Sequence, residues 1–250
     1  MKNEWKNYDV VIIGSGGAGA QAALAASQEG CKVLVVSKDP LATSDTKISE
    51  GIATVRNSGD DHDTEEDLSN NLRMAGKDLP SKKLTDAFAK DSITAYDRYR
   101  LNGLRPKINK NNNGPQNLPL PMGGHNKSRS VGHENSGIAF GHANWDTIIN
   151  RTNVDYLEDS WFLEIVVEDY KSHGVKKKSV IGGVIYDASR GLLVVVKTFN
   201  IVIASGGLST LYFPKTDTMR GNTGDSYSLA LKAGAELLDM EQIYLKPALQ

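Results

Sequence analysis

The stretch YDVVIIGSGGAG occupies residues 8–19, close to the start of the chain. Residues 9–13 are mostly apolar and β-branched, which is typical of a buried strand. Six small residues follow this strand, and an alanine-rich run over residues 20–26 then predicts a helix. The order of strand, tight glycine turn and helix is a pattern that can bind the phosphates of a dinucleotide.

Each glycine of the turn has a physical role in that pattern. Gly14 allows the sharp turn out of the strand, Gly16 lets a pyrophosphate approach the backbone, and Gly19 lets helix and strand pack closely. Free N–H groups and the positive end of the helix dipole would then hold the phosphates. A second strand over residues 32–37 completes a βαβ unit. We therefore interpret the stretch as a dinucleotide-binding turn rather than an ordinary glycine-rich βα turn.

The composition narrows the class of protein. The chain has 250 residues, enough for one large domain or two modest ones, and an apolar fraction of 39% supports a sizeable core. A net charge of −1 gives no indication of a nucleic-acid partner. The single cysteine, Cys31, excludes an intrachain disulfide and a Cys-rich metal or iron–sulfur site within this chain.

The pattern of apolar residues indicates where the protein resides. Residues 1–7 are polar, and the first apolar run is only as long as one strand. No stretch of the sequence approaches the roughly 20 apolar residues that cross a membrane. We therefore expect a cytoplasmic protein without a membrane span of its own.

The end of the second strand bears on the choice between NAD and a flavin nucleotide. In many dinucleotide-binding folds an acidic residue closes this strand and binds the ribose hydroxyls. Here the strand closes on Ser37 and Lys38, and the nearest acid, Asp39, comes one position later. This arrangement disfavours NAD and leaves a flavin nucleotide open.

A helical insertion is predicted over about residues 60–155. It begins with the acidic run of residues 60–67, which predicts a solvated helix start, and it continues with helices over residues 81–102 and 141–154. Residues 41–56, which precede the insertion, are polar and on their own predict a surface loop. Apolar spacing assigns a buried face of the longest helix to Leu84, Phe88, Ile93 or Ala95, and Tyr99.

An irregular segment over residues 109–130 lies within this insertion. Its end, MGGHNKSR, places His125, Lys127 and Arg129 beside two glycines. Backbone that carries no Cβ can approach a ligand closely. The cluster therefore indicates either a ligand site or a basic surface loop, and the residues alone do not separate the two.

The second half of the chain predicts an antiparallel β-meander and then a return to the first sheet. The returning strand ends in Ser205-Gly206-Gly207, and a glycine turn leads into a helix whose first turn contains Asp225. The predicted strands cover residues 161–169, 180–186, 192–197, 200–204 and 236–244.

Taken in order, these pieces resemble the flavoprotein subunits of succinate dehydrogenase and fumarate reductase, a group to which L-aspartate oxidase and adenylylsulfate reductase also belong. The motifs that carry the resemblance are YDVVIIGSGGAGAQAAL, SDTKISEGI, GGHNKSR, ASGG and GNTGDSYSLALKAGAELLDMEQ. The resemblance implies an α/β fold, in which a Rossmann-like FAD-binding domain with a parallel sheet covers residues 1–250. The meander at about residues 161–198 and the helical insertion would belong to it, and a substrate-capping domain would follow residue 250.

The resemblance also implies a bound FAD. The glycine turn would hold the pyrophosphate, the end of the second strand would lie near the adenosine ribose, and residues 43–52 would line the isoalloxazine. Phe162 would contact the adenine side, and the ASGG segment with Asp225 would complete the pocket. The implied cofactor-binding residues are Gly14, Ser15, Gly16, Gly17, Ala18, Gly19, Ser37, Lys38, Thr43, Ser44, Thr46, Glu50, Gly51, Ile52, Phe162, Ala204, Ser205, Gly206, Gly207 and Asp225.

The reaction implied by the resemblance is hydride transfer between flavin N5 and a carbon of a dicarboxylate such as fumarate or succinate. The residues of this chain implied in catalysis are His125, Arg129 and Lys246. An iron–sulfur subunit is the implied electron partner, since one cysteine cannot hold a cluster within this chain. Through that partner the protein would lie peripherally on the inner face of a membrane.

Three positions depart from the pattern of the group. Asp45 stands where members with covalent FAD have a histidine, and because an aspartate cannot form that bond we expect non-covalent FAD. Lys246 stands where the group has a substrate-contacting histidine, which leaves the substrate open. Ser226 replaces a glycine, a milder change.

Two alternatives therefore accompany the main hypothesis. One is an L-aspartate oxidase or an adenylylsulfate-reductase-like flavoenzyme, which the lysine at position 246 keeps open. The other is a non-catalytic module that only binds FAD or a partner protein.

Overall fold

The centre of the molecule is a four-stranded parallel sheet. This computed structural model describes residues 2–59, 62–111, 113–151 and 153–243. The strands are β1 (Lys2–Asn7), β2 (Val10–Ile13), β3 (Val33–Val36), β4 (Ile52–Thr54), β5 (Ser130–Gly132), β6 (Val154–Leu157), β7 (Ser160–Ser172), β8 (Val175–Asp187), β9 (Leu192–Lys197) and β10 (Ile201–Ile203). The helices are α1 (Gly17–Gln28), α2 (Asp45–Ile48), α3 (Glu65–Ala75), α4 (Lys82–Leu101), α5 (Ser136–Ile149) and α6 (Asp225–Ala233).

The parallel sheet has the strand order β10-β2-β3-β6 and is covered on both faces. All four residues of β3 are buried, so this strand carries an unbroken apolar run instead of an alternating one. On one face Ile12 and Val35 pack with α1 and with Ile148 of α5. On the other face Val11 and Leu34 pack against the second sheet. The result is three layers: helices, parallel sheet and a largely antiparallel sheet.

The second sheet has the order β1-β9-β8-β7 and confirms the predicted meander. Its long strands β7 and β8 extend beyond the predicted bounds and pair antiparallel, with Trp161 opposite Tyr186. Sequence patterning did not indicate β1, which pairs parallel with β9 at the edge. The polar sequence KNEWKN suits an edge strand, because backbone pairing there requires no apolar side chains.

The buried face of α4 differs from the prediction. Leu84 is 72% exposed and Phe88 is 48% exposed, so placing these two side chains in the core was wrong. Between α4 and α3 the structure shows polar contacts instead: the hydroxyls of Ser69 and Thr85 lie 2.9 Å apart, and Ser69 donates to Asp86 at 2.7 Å. The buried residues of α4 are Thr85, Ala89, Ser92 and Tyr96.

The helix predicted over residues 141–154 is displaced toward the N-terminus. It covers Ser136–Ile149, and Val154 begins β6 instead of ending the helix. Asn153 holds the connection, because its side-chain amide donates to the backbone carbonyls of Ser27 and Cys31 at 3.1 and 2.8 Å. The sequence-based prediction therefore wrongly assigned the start of the short strand β6 to the helix.

The final strand predicted over residues 236–244 is not formed over its described part. Residues 236–243 lie outside any strand, and Leu238 is 83% exposed. A strand requires a hydrogen-bonding neighbour, and no strand of the described ranges pairs with this segment. Tyr244 lies outside the described residues.

The helices in the described ranges are all too short or too polar to cross a membrane.

Candidate functional site

A cavity of about 490 Å³ lies at the carboxyl ends of β2, β3 and β10. The chain continues from β2 to β3 on one side and returns as β10 on the other, and open α/β sheets bind ligands at such a switch point. Most of the cofactor-binding residues expected from the sequence line this cavity: Gly14, Ser15, Gly16, Gly17, Ala18, Ser37, Lys38, Thr43, Ser44, Thr46, Phe162, Ala204, Ser205, Gly206 and Asp225.

The glycine turn forms the floor of the cavity. Gly14 has a φ of +108°, and a Cβ there would strike the carbonyl oxygen of Ala204. Gly19 does not line the cavity, but a Cβ on it would overlap the carbonyl of Gly14, so it has the packing role that the sequence predicts. Side chains at these two positions would push β10 and α1 away from β2.

The start of α1 has features that favour the binding of an anion. Gly16 is its N-cap, no side chain caps it, and its first turn contains no acidic residue. The N–H of Gly17 points to the hydroxyl of Thr46 at 3.3 Å, which brings residues 43–46 to the turn. Free N–H groups together with the helix dipole favour phosphate at such a terminus.

Two buried serines hold the turn to the end of β3. The hydroxyls of Ser15 and Ser37 lie 2.9 Å apart, and both side chains are buried. The oxygen of Ser15 also accepts the N–H of Ala42 at 2.9 Å. One hydroxyl thus connects the turn, the second strand and the start of the loop expected to face the flavin.

An acidic residue does reach the end of β3, but it comes from α6. Lys38 donates to Asp225 at 2.7 Å and to Thr223 at 2.5 Å. Burial alone would raise the pKa of Asp225, but the hydrogen bonds from Lys38 and Thr223 and the lysine charge outweigh it and hold this pKa below its ordinary value. A carboxylate and an ammonium therefore lie together beside the cavity at the point where an acid binds a ribose in many dinucleotide folds.

Asp45 also lines the cavity, and both of its carboxylate oxygens are engaged by the protein. Oδ1 accepts the backbone N–H of Met219 at 2.8 Å, and Oδ2 accepts the side-chain amide of Asn222. Residues 219–222 belong to the connection before α6, far away in sequence. The aspartate at the position of the group's histidine thus contacts another segment of the chain.

The remainder of the expected flavin loop faces away from the cavity. Glu50, Gly51 and Ile52 do not line it. Ile52 begins β4, which pairs with β5, so the surface-loop interpretation of residues 41–56 was wrong in this part. Gly207 does not line the cavity either, and its carbonyl accepts the N–H of Gly224 at 3.2 Å.

Gly51 is held by a buried histidine. Its carbonyl lies 2.7 Å from Nδ1 of His133, so this nitrogen carries the proton and Nε2 accepts from Tyr96 at 3.0 Å. Burial lowers the pKa of His133 and raises the pKa of Tyr96 to about 12, which keeps the imidazole neutral and the phenol protonated. This pair fixes the loop that follows α2.

The basic cluster of MGGHNKSR folds into the helical insertion. Arg129 is fully buried, and its guanidinium donates to Asp63 at 2.8 and 2.6 Å and to Asn71 at 2.8 Å. The solvated helix start predicted for the acidic run is therefore wrong for Asp63, which is 2% exposed. Lys127 donates to Asp67 at 2.6 Å on the surface.

The residues expected in catalysis are not brought together at the cavity. Neither His125 nor Arg129 lines it, and Lys246 lies outside the described residues. Burial and the neighbouring charge of Arg129 lower the pKa of His125, which favours a neutral imidazole. The catalytic roles of these three residues stay predictions.

Several lining residues were not identified from the sequence. Ser228, Leu229 and Lys232 follow Asp225 by three, four and seven positions, so they share its face of α6. That helical spacing could have identified them from the sequence. Trp161 could not have been identified in this way, since neighbouring strand residues such as Trp161 and Phe162 are expected to point to opposite faces. The additional polar and aromatic lining residues are Asp39, Asp45, Ser160, Trp161, Asn222, Ser226, Ser228 and Lys232.

A metal ion is not indicated within the parts of the chain that the structure describes, where no group of three His, Cys, Asp or Glu side chains could hold one. The lining of the cavity carries groups that suit a flavin nucleotide instead. A glycine floor lies beside a helix start without a side-chain cap, and a buried aromatic ring, Phe162, lies in the same cavity. These are groups that hold phosphates and a planar ring system.

Curated proteins of similar sequence are oxidases and reductases by name. L-aspartate oxidase of Halobacterium salinarum is 29% identical over 253 residues, which covers 96% of this chain and 45% of that protein. The fumarate reductase flavoprotein subunit of Proteus vulgaris is 26% identical over 245 residues, with coverage of 96% and 38%. The chain thus spans less than half the length of these relatives.

Solved structures share the fold. A quinol-fumarate reductase with menaquinol molecules has a TM-score of 0.80 at 25% identity, covering 94% of this chain and 38% of that chain. Adenylylsulfate reductase from Archaeoglobus fulgidus has a TM-score of 0.73 at 18% identity, with coverage of 92% and 36%, which shows the fold alone.

A family profile extends the comparison to nearly every residue. The profile described as FAD binding domain matches residues 9–250, from the first parallel strand to the end of the chain. The match includes the glycine turn and every segment that lines the cavity. This chain belongs to the FAD binding domain family, and FAD is its cofactor.

Proposed function

We propose that this chain is the FAD-binding part of a flavoenzyme that transfers a hydride between FAD and a dicarboxylate such as fumarate or succinate. The observation that carries the proposal is the cavity shared by the glycine turn, residues 43–46, the ASGG segment and Asp225. Relatives named fumarate reductase, succinate dehydrogenase and L-aspartate oxidase support the type of reaction. When bound, FAD supplies the hydride chemistry at its N5 atom.

The residues of this chain bind and orient the cofactor in this proposal. The N–H groups at the start of α1 hold the pyrophosphate, because the N-cap Gly16 has no side chain to accept from them and the helix dipole makes this end partially positive. Lys38 and Asp225 bind the adenosine ribose through the ammonium and carboxylate groups that meet beside the cavity. Ser44 and Thr46, which line the cavity beside the glycine turn, contribute hydroxyl groups to the binding of the flavin in this proposal.

The proposed FAD is non-covalent. A carboxylate cannot form the histidyl–flavin bond, and the two oxygens of Asp45 are already hydrogen-bonded to residues 219 and 222. Loss of the covalent bond lowers the flavin potential, which disfavours succinate oxidation and fits fumarate reduction. The favoured direction of the reaction is therefore reduction of the unsaturated acid.

The substrate residues proposed from the sequence are His125, Arg129 and Lys246. Arg129 is already bound by Asp63, so a substrate carboxylate could bind the guanidinium only by replacing that partner. Lys246 would be a permanent cation suited to a substrate carboxylate. These assignments follow the resemblance of the sequence.

An iron–sulfur subunit is the proposed electron partner. One cysteine in the chain cannot bind a cluster, and relatives from Proteus vulgaris and Wolinella succinogenes are named flavoprotein subunits. A peripheral position at the membrane, reached through that partner, completes this part of the proposal.

L-aspartate oxidase activity is the second candidate. It is favoured by relatives of that name from Halobacterium salinarum, Ralstonia nicotianae and Vibrio cholerae, which are 29%, 26% and 27% identical to this chain. Aspartate, like fumarate and succinate, carries two carboxylates. The same cofactor cavity therefore serves either substrate, and the substrate-binding groups decide between them.

The experiment that tests the reaction is reoxidation of the reduced flavin. The full-length protein that contains this chain is reduced without oxygen and mixed separately with fumarate, with adenylylsulfate or with buffer, and reduction of the oxidised protein by succinate or aspartate is followed in parallel. The proposal expects fumarate to reoxidise the flavin faster than buffer does. Reduction by aspartate without any response to fumarate would select the second candidate, and a flavin unresponsive to every acid would contradict both.

A further inference from the structure

The segment of residues 219–225, which we call the strap, forms one wall of the cofactor cavity. Met219, Gly221, Asn222 and Gly224 of the strap all line the cavity, together with Asp225 at its end. The strap leads into α6, which begins at Asp225, and has no place in either large sheet. Its position is therefore fixed by side-chain contacts and by isolated backbone hydrogen bonds, such as those to Gly207 and Thr210, rather than by strand pairing.

The C-terminal end of the strap is attached to the end of β3. Lys38 donates to both Thr223 and Asp225, and Thr223 donates to Asp225 at 2.8 Å. Gly221 lies directly against Asp39, since a Cβ at this glycine would overlap the carboxylate of that residue. The C-terminal end of the strap is therefore attached to residues 38 and 39, which come just after β3.

The N-terminal end is attached to α2 by one side chain. Asp45 accepts the backbone N–H of Met219 through Oδ1 at 2.8 Å and the amide of Asn222 through Oδ2. Asn222 is only 8% exposed, and its backbone N–H and C=O are also paired, with Met219 and Thr210 at 3.1 Å. Asp45 forms no ion pair with the cations of the described residues, so amide donors are the groups that stabilise its charge there.

We infer that Asp45 is a positioning residue that ties the strap across the cofactor cavity and so slows the release of FAD. This inference rests on the proposed non-covalent FAD site. Where the group's covalent members hold the flavin through a histidine at this position, this chain holds the wall of the cavity instead. Opening of the strap at its N-terminal end requires the two hydrogen bonds to Asp45 to break, and we expect that opening to release FAD.

The chemistry of the contact makes it specific for a carboxylate. The two oxygens of Asp45 accept two separate donors, and an amide at position 45 would offer only one oxygen to them. With Asn222 in its observed orientation, replacing Asp45 by Asn places the new NH₂ group against the NH₂ group of Asn222. Replacing Asn222 by Asp places two carboxylates together. Exchanging both residues restores one donor and one acceptor across the contact.

The test is a double-mutant cycle of D45N, N222D and the exchanged double variant, with Asp91→Asn as the matched control. Asp91 is an exposed carboxylate on α4, so its replacement makes the same chemical change outside the cavity. The first readout is hydrogen exchange at the Met219 amide in protein freed of FAD, and the second is the rate of FAD dissociation.

Each single variant is expected to raise the exchange rate at Met219 and the FAD dissociation rate by about tenfold or more, as loss of a hydrogen bond to a charged group implies. The exchanged double variant is expected to return both rates to within about threefold of the parent, and D91N to change neither. Unchanged Met219 exchange in both single variants, or a double variant no slower than the singles, would overturn the contact. Faster exchange with an unchanged FAD dissociation rate would overturn its role in retention.

The exchange readout needs no bound flavin. A failure of the proposed FAD site would therefore appear as absent flavin binding with the Met219 response intact, which is distinct from a failure of the contact itself.

Discussion

At the scale of single residues, the site depends on charged side chains whose hydrogen-bond partners lie far away in sequence. Asp225 meets Lys38 and Asp45 meets Asn222, and the members of these pairs are separated by 187 and 177 positions. In each pair one residue comes from the first βαβ region and the other from the segment that leads into α6. These polar contacts of the cavity therefore form only when segments distant in sequence come together in the fold.

The pair of Lys38 and Asp225 predicts a pH-dependent stability. The pKa of Asp225 is lower in the folded protein than its ordinary value of 3.8, so this carboxylate stabilises the fold above that value and the contribution is lost as pH falls through the folded pKa. Because the pair is half exposed, we expect Lys38→Met to cost about 1 kcal/mol or less at neutral pH.

Thermal unfolding of Lys38→Met and the parent protein measures this effect. The difference in melting temperature is expected to shrink as the pH falls from about 5 to about 3, because the carboxylate becomes protonated in both proteins. In an Asp225→Asn background the lysine substitution should show no such trend. A difference that stays constant across this pH range in both backgrounds would contradict the assignment.

Arg129 predicts a much larger effect. Its guanidinium is fully buried with Asp63, so Arg129→Met leaves this buried carboxylate without its two guanidinium hydrogen bonds and with only the longer contact to Lys127 at 3.9 Å, and it should lower the free energy of unfolding by about 3–5 kcal/mol. The neighbouring Lys127→Met removes a half-buried contact with Asp67 and that longer contact with Asp63, and it should cost less, about 1 kcal/mol. Urea unfolding of the two variants measures both values.

A second substitution separates charge burial from packing in that experiment. Removing the carboxylate as well, in Arg129→Met with Asp63→Leu, should recover part of the lost stability because no unpaired charge remains. Equal stability of the Arg129 and Lys127 variants would show that the buried pair is not an anchor of the helical insertion.

At the scale of elements, the packing of α1 on β2 positions the phosphate-binding turn. Gly19→Ala brings a Cβ onto the carbonyl of Gly14, and we expect this overlap to cost about 1–3 kcal/mol and to weaken FAD binding. Gly30→Ala is the matched control at the far end of α1, where a Cβ meets open space and only the φ of +80° opposes it.

Urea unfolding and FAD titration of the two alanine variants test this prediction. The Gly30 variant should lose about 1 kcal/mol of stability and keep its affinity for FAD, whereas the Gly19 variant should lose both. Full FAD affinity in a stably folded Gly19→Ala protein would show that close packing of the helix does not position the turn.

The elements differ in how far the sequence predicted them. The strands of the first βαβ unit and of the meander were predicted correctly because buried apolar runs give strong periodic signals. Strand β1 was missed because its residues are polar, and β6 because it directly follows a helix. The buried face of α4 was wrong in its first half, where Leu84 and Phe88 are exposed, whereas Ile93 and Tyr99 in its second half pack against a core cluster.

The site shows the same contrast between local and distant information. The glycine turn, Ser37, Lys38, Ser44 and Asp225 were predicted to line the cavity and do so, because each lies in a compact motif. The partner of Asp45 could not be predicted, since no local pattern reports which distant amide its carboxylate meets. The interior position of Arg129 was missed for the same reason, as its partner Asp63 belongs to a run of acids that resembles a solvated surface.

At the scale of the whole molecule, three layers enclose one cofactor cavity. The parallel sheet supplies the glycine turn and Lys38, the antiparallel sheet supplies Phe162, and α6 with the strap supplies Asp225. The chain spans 45% of the length of L-aspartate oxidase from Halobacterium salinarum.

The central claim is that this chain binds FAD in the cavity without a covalent bond to it. Acid precipitation of the FAD-loaded protein measures this directly, because denaturation releases a non-covalent flavin and retains a covalent one. The account predicts a colourless pellet and one equivalent of FAD per chain in the supernatant. Yellow colour that stays with the precipitated protein would contradict it.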